Sequence, residues 1–97
     1  MVLDLPPVTP PDTLLHGTAT RFLDAILAEG LDKRQRHHVH LSENPDTARQ
    51  VGSRYGKVAL LEVDAGRMHR DGHQFFRTEN GVWLTDAVPH TYLKVMP

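Results

Sequence analysis

Three histidines crowd one short stretch, Arg36-His37-His38-Val39-His40-Leu41-Ser42, and their spacing decides which of them can act together. From His38 to Ser42 polar and apolar residues alternate as in a strand, so His38, His40 and Ser42 share one face and Val39 and Leu41 the other. The apolar face is expected in the core. The opposite face is then a polar wall that a polar ligand would meet; histidines exposed on an edge strand are the plain alternative. A metal reading is also open, because His38 and His40 stand two apart, Glu43 follows, and imidazole suits zinc or iron. A site of that kind needs many strands and a second, distant histidine strand. The next segment reads as a helix, so no metal is expected.

His16-Gly17-Thr18 is the second candidate. A histidine at a strand end is most often structural, but a glycine beside a polar pair permits close backbone approach to a ligand. Neither GxGxxG nor GxxxxGK[ST] occurs, so the two commonest ways of cradling phosphates are absent. Arg77 to Thr85 joins an arginine to an Asn80-Gly81 hairpin signal and a β-forming run. Trp83, Tyr55, Phe75 and Phe76 read as packing residues. Lys33, Arg34, Arg36, Arg49, Arg54 and Lys57 place six of the eleven basic residues in one region, which would steer a phosphate-rich ligand.

The elements that must hold these residues belong to one domain of 97 residues. With no cysteine, disulfides, thiolate nucleophiles and Cys-ligated zinc are excluded, and a cytoplasmic location is expected. No run approaches the roughly 18 apolar residues of a membrane span. Residues 1–12 carry four prolines and read as a linker or lead-in strand, with the domain proper at 13–97. Thr13 to Thr18 reads as a short strand. Thr20 then caps a helix whose stripe is Phe22, Leu23, Ile26 and Leu27 and whose stop is Gly30. Lys33 to His37 follows as a basic loop, and Pro45 opens a second helix, capped by Ser42 or Asn44, that runs to about Arg54. Lys57 to Val63, Gln74 to Arg77 and Val82 to Thr85 read as strands, and Met68 to Gly72 as a loop. Strands that gather late in the chain predict an α+β fold.

Taken in order, LLHGTA, FLDAILAEGL, RxHVHLS, VGSRYGK, VALLEVDA and NGVWLT with a later VP and YL resemble the C-terminal half of the tRNA 2'-phosphotransferase family, over about Leu5 to Leu93. The resemblance implies an ADP-ribosyltransferase-like split β-sheet with two short helices that clamps NAD+ in a bent shape. Several separate motifs at family-like spacing carry it.

The resemblance also implies roles. His16 would hold a ribose of NAD+, Gly17 and Thr18 would line the nicotinamide side, and His40 matches a position filled by a stacking tyrosine in many ADP-ribosyltransferases. Ser42, Asn80, Gly81 and Val82 complete the cofactor-binding set. Those enzymes often carry a glutamate near the positions of Gly81 and Val82; this sequence has none at those two positions, a departure the phosphotransferases share. Arg36 matches the family's essential arginine on this lobe, suited to gripping a phosphate through paired donors. The implied reaction moves a splice-junction 2'-phosphate of tRNA to NAD+. The phosphate displaces nicotinamide from the anomeric carbon, and the ribose hydroxyl then attacks phosphorus, giving ADP-ribose 1'',2''-cyclic phosphate. In the family an N-terminal, RNA-binding lobe supplies further arginine and histidine groups. The sequence does not include that lobe, and its linker-like start is expected of a fragment or a shortened product. A freestanding module that binds NAD+, ADP-ribose or RNA ends without catalysis is the rival expectation.

Overall fold

Apolar runs too short to bury themselves pair across long separations in this chain. The computed structural model describes residues 5–32, 38–54 and 56–96. Its strands are β1 (Leu14–Ala19), β2 (Leu31–Asp32), β3 (Val39–Leu41), β4 (Val58–Val63), β5 (Phe75–Arg77), β6 (Trp83–Thr85), β7 (Ala87–Val88) and β8 (Leu93–Val95). The helices are α1 (Leu23–Glu29), α2 (Pro45–Ser53) and α3 (Ala65–Arg70), with 3-10 turns at Thr20–Phe22 and His90–Tyr92. The basic loop expected at Lys33 to His37, with Arg36 in it, and Tyr55 lie outside the described residues.

The fold is mixed α+β, and every strand pair is antiparallel. One three-stranded sheet has the order β1-β4-β8 and the other β3-β6-β5, while β2 and β7 form a small ribbon. An isolated backbone bridge between Leu15 and Ser42 joins β1 to the end of β3. Leu14 and Val63 from the first sheet meet Val39, Leu41, Phe75 and Trp83 from the second in one core, which Met68 of α3 also enters. A smaller core of Leu15, Ala48 and Leu60 lies where α2 covers the other face of β1 and β4.

Local chemistry explains α2. Asn44 has extended backbone, its side-chain oxygen accepts from Asp46 N at 2.8 Å, and Pro45 takes the first helical position, where no amide donor is needed. Asn44→Ala is therefore expected to destabilise the chain by about 1 kcal/mol, seen as a thermal midpoint lower by about 4–8 °C. Asn44→Asp should restore it. A midpoint unmoved by the alanine would show that the cap contributes nothing.

Several expectations need correction. There are three α-helices among the described residues, not two: Met68 falls inside α3, which Asp64 caps by accepting from Arg67 N, and not in a loop. β2, β7 and β8 were not expected. Thr20 is not the cap of α1; it opens the 3-10 turn, and no side chain caps either helical piece. Of the α1 stripe only Ile26 packs on the main core, while Phe22 and Leu27 stay 40% and 38% exposed. Gly30 does stop the helix. Its φ of +84° suits a residue without a side chain, and a Cβ there would press on the Val88 carbonyl.

Candidate functional site

Alternation along β1 divides its residues. Leu14 points into the main core, and His16 and Thr18 follow on the same face beside Leu61 and Ala59 of β4. His16 is half-buried and Thr18 buried. On β3 the buried Val39 and Leu41 face the core and His40 is exposed, as the alternation predicts.

The two histidine strands meet at the join between the sheets. His16 Nδ1 stands 3.0 Å from the carbonyl oxygen of His40. A carbonyl only accepts, so Nδ1 carries the proton and, in the neutral ring, Nε2 is left as an acceptor. Two residues on, Ser42 exchanges backbone bonds of 2.8 and 2.9 Å with Leu15. The Ser42 hydroxyl accepts from Asn44 N at 3.0 Å, tying this corner to the start of α2. The register pairing Leu41 with Trp83 brings the turn before β6 to the same end of β3. In that turn Gly81 has φ +82°, Gly81 N donates to the Thr78 carbonyl, and Val82 N donates to Thr78 Oγ1. A Cβ on Gly81 would lie 3.4 Å from the Arg77 guanidinium, so the arginine lies over the turn.

His16, the His40 backbone and Ser42 thus meet at one corner, the register sets the Asn80-Gly81-Val82 turn at the same end of β3, and Thr18 lies one step further along β1. Gly17 points the other way. A Cβ there would fall inside the contact distance of the Ala48 carbonyl, so the close approach its missing side chain permits is that of α2. Gly52, which meets Thr18 from the α2 side, was not singled out from the sequence, although Ala48 and Gly52 are small residues four apart.

Phe76 and His40 both pair with Leu84 and so share a face of the second sheet. His38 makes an edge contact with Phe76, centroids 6.1 Å apart, and among the described residues no three His, Asp or Glu side chains are grouped to hold a metal. Trp83 is core, and its buried indole N–H has no acceptor among the described residues. A cleft of about 330 Å³ lined by Thr13, Glu62, Asp64, Tyr92 and Lys94 contains none of the expected site residues. Tyr92 donates to Asp71 at 2.6 Å, and that bond, with partial desolvation, holds its hydroxyl above the ordinary tyrosine range. No helix among the described residues is long and apolar enough to cross a membrane.

Residues 3–87 match the RNA 2'-phosphotransferase, Tpt1 / KptA family. A probable RNA 2'-phosphotransferase of Burkholderia lata is 63% identical over 91 residues, covering 94% of this chain and 47% of the relative. Similar proteins bearing that description are 59% identical in Acaryochloris marina, over 93% of this chain and 50% of the relative, and 56% identical in Hahella chejuensis, over 97% and 50%. The chain spans about half the length of these curated relatives. A match through both histidine strands, α2 and the β5-β6 hairpin covers every element of the corner described above, and this chain belongs to the RNA 2'-phosphotransferase family.

Proposed function

We propose that this chain is the NAD-binding lobe of an NAD-dependent RNA 2'-phosphotransferase, built as an ADP-ribosyltransferase-like split sheet over residues 13–97. The observation that carries the reading is the His16 to His40 bond at the join of the two sheets. It turns Nε2 into an acceptor suited to a ribose hydroxyl, so the residues present fit a nucleotide. Thr18 lines the nicotinamide side, His40 and Ser42 form the wall across from it, and the Asn80-Gly81-Val82 turn closes the corner; Gly17, turned toward α2, supports Thr18 from behind. NAD+, when bound, supplies an anomeric carbon as electrophile and nicotinamide as leaving group. Arg36 grips the incoming 2'-phosphate of a tRNA splice junction and offsets its charge; no general base is required of this lobe, because that phosphate is already ionised. The cytoplasm is the proposed location. Groups from an N-terminal RNA-binding lobe complete the phosphate site.

One second reading rests on the same His16 to His40 corner, which would serve with no phosphate transferred: the chain is a module that holds NAD+, ADP-ribose or an RNA end without turnover. Both readings predict weak NAD+ binding by the 97-residue chain, measured by calorimetry, with amide shifts at His16, Thr18, His40 and Ser42. Neither heat nor shifts at millimolar NAD+ would remove the nucleotide assignment. Binding without release of 2'-phosphate from RNA, even with the complementary half of a relative added, would select the module.

A further inference from the structure

Helix α2 rests on β1 more closely than side chains would allow. A Cβ on Gly17 would overlap the Ala48 carbonyl and stand 3.1 Å from Gly52 N. A Cβ on Gly52 would lie 2.7 Å from Thr18 O, 2.9 Å from Thr18 N and 2.8 Å from Val58 Cγ2. Apart from the Val58 methyl, these neighbours are backbone, which cannot rotate away as a flexible side chain can. Any side chain at either position must lift the helix.

The helix cannot lift without pulling on the corner that holds the histidines. Its first turn is capped by Asn44, whose own amide is held by the Ser42 hydroxyl at 3.0 Å. Ser42 is also the residue that bridges β3 to Leu15 of β1. The His40 carbonyl that receives His16 Nδ1 lies two residues before it. Helix height over β1 is therefore passed through a few stiff bonds to the spacing between β1 and β3. Two facing glycines, one from each element, set that height.

We propose that Gly17 and Gly52 are positioning residues: by seating α2 directly on the β1 backbone they fix the distance across which His16 reaches the His40 carbonyl. Its consequence for nucleotide affinity rests on the proposed function, while the geometric claim does not. The test is Gly52→Ala in the full chain, read first by nitrogen NMR of the His16 ring without nucleotide. In the unaltered protein the ring is held with its proton on Nδ1. In Gly52→Ala the tautomer signature is expected to move toward the Nε2–H form as the bond to His40 lengthens. Val88→Ala is the control, since Val88 is fully buried in the main core on β7 whereas Ala48 of α2 packs in the smaller core, and its loss should lower stability without moving the His16 signals.

Affinity for NAD+ should fall by about tenfold in Gly52→Ala, and Gly17→Ala/Gly52→Ala should fall by little more than either single variant, because a helix already lifted meets no second clash. If Gly52→Ala does not fold, Ala48→Val adds a milder wedge at the same contact and should move the His16 signals in the same direction. A folded Gly52→Ala or Ala48→Val whose α2 amides shift while the His16 ring is unchanged would overturn the inference, as would an equal ring change in Val88→Ala. Failure of the unaltered chain to bind NAD+ would defeat the proposed function and leave the ring measurement standing as the judge of this one.

Discussion

Arg36→Lys is expected to slow release of 2'-phosphate by about a hundredfold or more, close to the loss in Arg36→Ala, because removing one well-placed donor to a developing charge costs about 10²–10³. Lysine keeps the charge but loses the planar fork that takes two phosphate oxygens at once. The measurement uses this chain joined to the part of the Burkholderia lata relative that it does not span, with a short 2'-phosphorylated RNA and NAD+. Arg36 lies outside the described residues, so the expectation rests on the resemblance and the proposed function and takes no geometry from the fold. Lys33 and Arg34 give the contrast. Residues that act only by attracting RNA change affinity modestly, and mostly at low salt, since charges in water are screened within about 10 Å at 0.1 M ionic strength. Equal, small, salt-sensitive effects at all three positions would take Arg36 out of the phosphate site.

What could be read in advance depended on whether a signal was local. Val39 and Leu41 inward with His40 outward follows from a period of two, which any three-residue strand obeys. The start of α2 was legible because Asn44 and Pro45 satisfy the helix end between them. β8 carries three residues, and it exists because the edge of β4 pairs with it, Leu61 to Val95 through Val63 to Leu93. β2 and β7 carry two each and define one another. A two-residue strand has no periodicity to read, and β8 is made a strand by its pairing with β4 and not by its own three-residue pattern. α3 was hidden differently. Its sequence, Ala-Gly-Arg-Met-His-Arg, is a poor amphipathic pattern; burial of Ala65 and Met68, and a bond from Gly66 N to the Asp12 carbonyl, hold it.

The same division runs through the site. The polar face with His40 and Ser42 was visible as sequence. The partner of His16 was not, because it is a backbone carbonyl on a strand far along the chain and no residue type encodes it. Gly17 looked like a ligand-side glycine because its neighbours are polar. Its side-chain direction is set by β1 alternation, which points Leu15 and Gly17 at α2, and the Ala48 carbonyl of that helix, lying where a Cβ would be, explains the absence of a side chain.

His16 should separate its two nitrogens when replaced by asparagine and by alanine. An asparagine amide nitrogen falls near the place of Nδ1, so His16→Asn keeps a donor for the His40 carbonyl and loses the Nε2 acceptor. Its thermal midpoint is expected to correspond to a stability within about 0.5 kcal/mol of the unaltered chain. His16→Ala loses the donor as well and should cost about 1 kcal/mol, the net worth of one intramolecular hydrogen bond. Affinity for NAD+ should fall in both. A ribose hydroxyl left without its acceptor costs about 1–3 kcal/mol, which is roughly tenfold to a hundredfold in dissociation constant. Thermal denaturation and calorimetry on the same three samples give both quantities. Full affinity in His16→Asn would show that Nε2 does not meet the nucleotide, whereas equal destabilisation by asparagine and alanine would show that the bond across the two sheets depends on the imidazole ring itself, beyond the donor it presents.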